Sequence, residues 1–168
     1  MSENQVKIAY LGIGSNLGDR RANIEKTKFE MQSYKINIIK SSNNFETESW
    51  PDKNKPKFIN IVVKVKTSLS AYKLLKICNL IEKNMGRIRS IKNEPRTCDI
   101  DILDYDKKIL NSKGVDLILP HPFLVKRNFV LLPLFEIDKT WKHPKSRLNI
   151  AKLINALPIK DLRSIKQI

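Results

Sequence analysis

The sequence predicts an α+β sandwich in the order β-α-β-β-α-β, followed by helical additions. Three observations carry this. Residues 58–67 alternate apolar and other side chains as a strand does. A strongly amphipathic helical segment follows directly. Residues 97–105 then alternate again. The 168 residues amount to one domain, expected over 1–168, with a core over 6–137 and a basic C-terminal extension over 138–168.

Val6 to Gly14 reads as a nearly continuous apolar strand, which places it centrally in a sheet. Ser15-Asn16-Leu17-Gly18-Asp19 is a turn with helix-capping residues, and a helix follows to about Ser33 on Leu17, Ile24 and Met31 at heptad spacing. Ile36 to Glu48 reads as one second strand, and Trp50 to Lys57 as a polar loop with two prolines. In the strand Phe58–Thr67, Ile59, Ile61, Val63 and Val65 form an apolar row. Phe58, Asn60, Val62 and Lys64 face the other way. Ser70 caps the strongest helix, with Ala71, Leu74, Leu75, Cys78, Ile81 and Met85 at helical spacing and Gly86 as its stop. A basic loop, Arg87 to Arg96, leads into a strand Thr97–Tyr105. There Cys98, Ile100 and Ile102 face one way, and Asp99 and Asp101 the other. A turn is expected at Asp106-Lys107, a short helix near Phe123–Leu132 and another near Ile150–Ala156. This order is the split βαβ arrangement of the ferredoxin-like fold. Its helices are expected to cover one sheet face and leave the other open for a ligand.

The net charge is +15, and it is uneven: residues 51–98 carry +9 and residues 139–168 carry +7. Such a chain attracts polyanions, whether nucleic acid, an anionic surface or phosphorylated small molecules. Lysine outnumbers arginine 24 to 8, so much of the charge is solvated surface. Three of the arginines, Arg87, Arg89 and Arg96, fall within ten residues, and arginine grips phosphate bidentately. Cys78 and Cys98 are the only cysteines and read as reduced core residues. The longest apolar stretch of the C-terminal half, Phe129–Phe135, is far short of the ~20 residues of a membrane span. The N-terminus lacks a secretory pattern, and a cytoplasmic protein is expected.

The sharpest chemical feature is Arg96-Thr97-Cys98-Asp99-Ile100-Asp101. Two carboxylates two residues apart on a strand share a face, with Cα atoms about 6.6 Å apart. They can converge on paired cations, and Mg²⁺ prefers carboxylate, water and phosphate oxygens. An acid pair beside clustered arginines is the composition of a nucleoside triphosphate site. Gly12-Ile13-Gly14-Ser15-Asn16-Leu17-Gly18 matches neither a Walker A loop nor the dinucleotide fingerprint, and reads as a tight strand-to-helix turn that needs glycine. His121, between two prolines with Arg127 six residues on, is a candidate phosphate contact, while His143 reads as structural.

With these residues in view, the chain resembles the 6-hydroxymethyl-7,8-dihydropterin pyrophosphokinase family of folate biosynthesis. The resemblance rests on Pro95-Arg-Thr-Cys-Asp-Ile-Asp-Ile-Leu103 and on Tyr10-Leu-Gly-Ile-Gly-Ser-Asn-Leu-Gly18. It also rests on Phe58-Ile-Asn60, Gly86-Arg-Ile-Arg89, Pro120-His-Pro122 and Arg127 to Glu136, all in family order. It implies a ferredoxin-like monomer that moves the β,γ-diphosphate of ATP to the pterin hydroxymethyl oxygen and releases AMP. It further implies that Asp99 and Asp101 hold two Mg²⁺ ions, and that Glu82, Arg89, Ile102, His121 and Arg127 line the ATP site. Phe58 and Phe129 would sandwich the pterin, Asn60 would pair with its polar edge, and Thr47 and the backbone around Trp50 would close the pocket. Arg87 and Arg96 would grip the transferring group. The loop Ser90–Glu94 departs from the family by being one residue short and by lacking a tryptophan before Pro95. The partners implied are ATP and the pterin, with no membrane. The competing reading is a basic nucleic-acid-binding module on the same strand order, and Asp99, Asp101 and Asp104 on one strand argue against it.

Overall fold

The first strand, β1 (Lys7–Ser15), puts Ala9, Leu11 and Ile13 into an apolar cluster on one face, and Tyr10, Gly12 and Gly14 alternate onto the other. β1 pairs antiparallel with β4 (Phe58–Thr67) on one side and β5 (Asp99–Tyr105) on the other. The computed structural model describes residues 5–88 and 91–168. β2 (Ile36–Ser41) and β3 (Phe45–Thr47) share the far edge of β4, β2 on its C-terminal half and β3 on its N-terminal half. β8 (Lys166–Gln167) extends the sheet beyond β3.

The expected single strand over 36–48 is therefore two strands. Ser42 marks the break: its N–H donates to Val62 O at 2.9 Å, and its Oγ accepts from Val62 N–H at 3.0 Å. A hydroxyl thus does what Ser42's own backbone carbonyl would do in a regular antiparallel pair.

α1 (Arg20–Ser33) is capped by Asp19, whose Oδ1 accepts from Ala22 N–H at 3.0 Å. Ile24 and Met31 are buried as the heptad predicted, but Leu17 lies before the helix and is exposed. α2 (Ala71–Asn84) starts on Ser70 and stops at Gly86, whose φ is +87°. Both helices cover the face of Ile59, Ile61, Val63 and Val65. Cys78 and Cys98 are free thiols in that layer, and burial pushes the Cys98 thiol up to about 12. After a small hairpin, β6 (Leu110–Asn111) with β7 (Ile118–Leu119), comes one 3₁₀ turn at Leu124–Lys126.

The opposite face is left open only in part, which corrects the expectation of a wholly open face. α3 (Asn128–Ile137) and α4 (Ile150–Asn155) bury Leu131, Leu134 and Leu153 against Tyr10, Val62 and Leu103 of the sheet. α3 was expected at 123–132, but it starts later and runs through Pro133. That proline removes one intrahelical N–H, and the burial of Leu134 and Ile137 carries the helix past it. A further helix that the sequence did not announce, α5 (Ile159–Ser164), precedes β8. The C-terminal elements cover only the Tyr10 half of the face. In the half built from Phe58, Asn60, Gly14, Asp99 and Asp101, the ring and the two carboxylates stay partly exposed and Asn60 is 9% exposed, and the candidate site residues gather there.

Polar contacts tie the added layer down. Trp141 Nε1–H donates to the buried Asp104 at 2.9 Å, and burial pushes that carboxyl up. Tyr10 O–H donates to Asp138 at 2.5 Å, and Lys64 adds an ion pair at 3.3 Å. Burial works against the Asp138 charge, but bonds from Tyr10, Thr140 and Lys64 outweigh it and hold the carboxyl below its ordinary value. Tyr10→Phe is expected to destabilise the fold by about 1.5 kcal/mol at pH 7. A carboxyl depressed in the folded state contributes stability above its unfolded pKa and loses it as pH falls through the folded value. Urea titrations should therefore show the gap between the two proteins closing as pH falls below the ordinary carboxyl value of about 4.

Candidate active site

Register sets the floor of the site. Gly14 lies between Asn60 on β4 and Asp99 on β5, and Gly12 lies between Val62 and Asp101. Adjacent strands are about 4.8 Å apart, so the amide and the carboxylate face each other across about 10 Å of bare backbone. A Cβ on Gly14 would meet Asn60 Oδ1 at 2.6 Å and Phe58 Cδ1 at 3.4 Å. Gly12 and Gly14 were expected at the end of the first strand, with the glycine-requiring turn after them. They lie inside β1, and in that segment the positive φ belongs to Gly18, at +69°. Gly14 is required by close approach, not by backbone conformation. Gly14→Ala should displace the Asn60 amide and raise KM for a ligand bound by that amide about tenfold, with melting temperature nearly unchanged; steady-state kinetics and a melt check both.

Each acid is paired with arginine. Asp99 accepts from Arg87 Nη1, and Arg96 Nε lies 3.4 Å from its other oxygen. Asp101 accepts from Arg127 Nη1 at 2.9 Å, and His121 Nε2 stands 3.8 Å away. The two carboxylates remain 27% and 36% exposed, so a ligand can reach them. Burial opposes the Arg87 charge, and Asp99 and Glu82 more than offset it, which holds the proton on this guanidinium. Burial lowers the His121 pKa, with Asp101 opposing. His121 Nδ1 accepts from Phe123 N–H at 3.2 Å, which leaves the neutral ring's proton on Nε2, toward Asp101.

Two expected nucleotide contacts are placed differently. Glu82 is 1% exposed; its Oε1 accepts from Arg87 at 2.7 Å and from Ile100 N–H at 2.8 Å. It lies beneath the site and positions Arg87 and β5 rather than lining the surface. Ile102 points into the α1–α2 core at 5% exposure, so its side chain is withdrawn from any ligand. β5 is the outer strand here, so what Ile102 offers is backbone. Arg89 lies outside the described residues.

Two rings flank the floor, each beneath a guanidinium. Arg96 sits 5.4 Å over Phe58, and Arg127 sits 5.4 Å over Phe129. Asn60 Nδ2–H donates to buried Thr47 Oγ1 at 3.2 Å, which orients the amide. The Trp50 indole is 81% exposed and forms no wall of this slot. Arg87, Lys92, Pro95 and Arg96 border an open cleft of about 380 Å³.

Asn16 was not singled out by the sequence reading, yet it fixes the basic loop. Its Oδ1 accepts from Arg96 N–H at 2.8 Å, its N–H donates to Arg96 O at 3.0 Å, and its Nδ2 donates to Pro56 O at 3.1 Å. Only its place in the Gly-Ser-Asn-Leu-Gly stretch hinted at a role. The Arg96 Nε it presents is buried without a hydrogen-bond partner among the described residues. Asp99 is the anion beside it, at 3.4 Å and without a hydrogen bond, so this buried donor can still take an acceptor.

Known proteins resemble this chain over most of its length. Residues 10–139 match the family model described as 7,8-dihydro-6-hydroxymethylpterin-pyrophosphokinase (HPPK). A 2-amino-4-hydroxy-6-hydroxymethyldihydropteridine pyrophosphokinase of Aquifex aeolicus is 42% identical over 135 residues, covering 80% of this chain and 82% of its own. The Bacillus subtilis protein of the same name is 37% identical, covering 77% of each. The folic acid synthesis protein fol1 of Pneumocystis carinii is 38% identical over 98% of this chain, which spans only 22% of that longer protein. A Plasmodium falciparum HPPK-DHPS crystal structure shares the fold, with a TM-score of 0.72 at 19% identity over 92% of this chain and 43% of that one.

Proposed function

This chain belongs to the 7,8-dihydro-6-hydroxymethylpterin-pyrophosphokinase family, and on that premise we propose how its residues carry the family reaction. Diphosphate passes from ATP to the hydroxymethyl oxygen of the dihydropterin in folate synthesis. The oxygen gives up its proton to water and bonds to the β-phosphorus, the bond from that phosphorus to the α-phosphate oxygen breaks, and AMP leaves.

The carrying observation is the juxtaposition of Asp99 and Asp101 with Phe58 and Asn60 on one bare patch of sheet. The pterin lies between Phe58 and Phe129, with its polar edge on Asn60, whose amide offers both donor and acceptor. Thr47 sets that amide's orientation. ATP enters from the side of His121, Arg127 and the backbone of Ile102.

Among the described residues, no group of three or more His, Cys, Asp or Glu gathers as a metal cage. Two carboxylates fit Mg²⁺ only if phosphate oxygens and water complete the shell, as its chemistry favours. We read two ions, held by Asp99 and Asp101. Bound there, magnesium supplies Lewis-acid neutralisation of the phosphate oxygens. Arg87, Arg96 and Arg127 occupy those same carboxylates here. The arginines are then released onto the triphosphate, and they neutralise charge on the transferred group and on the departing AMP.

The strand order β5-β1-β4-β2/β3, all antiparallel, supports the ferredoxin-like reading. The nucleic-acid alternative is not supported. The sheet face such modules use is half covered by α3 and α4, and its open half carries two carboxylates. No helix among the described residues is long and apolar enough to cross a membrane. The test is direct: incubation with MgATP and the hydroxymethyl dihydropterin should yield AMP. Formation of ADP would mean a monophosphoryl transfer and would overturn the reading.

A further inference from the structure

Residues 159–168 lie outside the matched segment 10–139, yet they contact the residues next to both walls of the pterin slot. Asn128, the neighbour of Phe129, donates its Nδ2–H groups to Asp161 O at 2.6 Å and Ser164 Oγ at 3.2 Å, both on α5. Leu162 of α5 packs against the same apolar cluster as Phe129. The chain then rounds the sheet edge. Gln167 pairs opposite Phe45 and Lys166 opposite Glu46, and Ile168 N–H donates to Asn44 O at 3.0 Å. The Ile168 side chain packs on the other face of the sheet, with the α1–α2 cluster.

β3 is a strand of three residues, and its last residue, Thr47, holds Asn60. So short an edge strand has few ladder bonds of its own, and pairing on its second side fixes it. One continuous segment therefore clamps the Phe129 wall through Asn128 and the Thr47–Asn60 wall through β3.

We propose that residues 159–168 are a brace that sets the spacing of the pterin slot, with Asn128 as its positioning residue. The proposal rests on the pterin-slot reading above. Two variants test it: Asn128→Ala, which deletes both bonds to α5, and removal of residues 165–168, which deletes the β8–β3 pairing. Each should raise KM for the pterin about fivefold or more while KM for ATP stays within about twofold. A pterin KM within about twofold of the parent in both variants overturns the brace, and so does a parallel rise of both KM values, which would mark general loosening. If the deletion unfolds the protein, Asn128→Ala decides alone. Phe129→Ala, measured alongside, separates the two ideas. If it raises the pterin KM while the brace variants do not, the slot stands and the brace falls. If it leaves the pterin KM unchanged, the slot reading fails and the brace with it.

Discussion

Replacing Asp99 or Asp101 by alanine is expected to lower kcat by about a thousandfold or more and to leave the protein folded. The rate follows from charge. Moving a diphosphate concentrates negative charge on phosphate oxygens, and these two carboxylates are what the site offers to hold neutralising cations. The fold survives because each arginine left behind keeps a partner or solvent, Arg96 included, whose side chain is 19% exposed. Without Asp99, Arg87 keeps its bond to Glu82 at 2.7 Å. Without Asp101, Arg127 is 28% exposed and water can solvate it. Asp99→Asn keeps the shape and removes the charge, so it should lose as much rate as alanine. Turnover with MgATP and a thermal melt of each variant check this. Near-normal rates in both alanine variants would remove the metal-holding role. Chelation of divalent ions from the unmodified protein should abolish turnover, and added magnesium should restore it.

Much of this arrangement was legible in the sequence, for identifiable reasons. Ile59, Ile61, Val63 and Val65 alternate without interruption, so the face opposite them, bearing Phe58 and Asn60, was fixed too. Ser70 and Gly86 bracket α2 as capping physics requires. Asp99 and Asp101 share a face because strands repeat every second residue. The failures are also physical. The break at Ser42 is a hydroxyl replacing a backbone acceptor, which leaves no trace in hydropathy. Leu17 fitted a heptad, but Asp19 caps the helix after it. Covering of the second face depends on docking of α3 and α4 through Tyr10, Leu103 and Trp141, contacts distant in sequence. The Gly14 requirement arises from Asn60, a residue on another strand, so no local pattern announces it. Burial of Glu82 was hidden because its partners, Arg87 and Ile100, lie after the helix that bears it.

Arg96→Lys is expected to lower kcat about a hundredfold to a thousandfold although it conserves charge. Three features make this position need a guanidinium. Its plane lies 5.4 Å over Phe58, where a lysine stem gives weaker stacking. Its Nε is buried and lacks a hydrogen-bond partner among the described residues, so a phosphate oxygen arriving there gains a donor already stripped of water. Its fork can hold two phosphate oxygens at once, and an ammonium cannot. The backbone of residue 96 stays anchored in the variant, because Asn16 binds its N–H and C=O and not its side chain. The loop therefore keeps its place, and the loss reports the side chain alone. Single-turnover kinetics should show the chemical step slowed and KM for ATP changed by less than about threefold. A lysine variant with kcat within about threefold of the parent would mean that this guanidinium is not on the transferring group, leaving that role to Arg87. Arg87 is the one other arginine paired with Asp99 among the described residues.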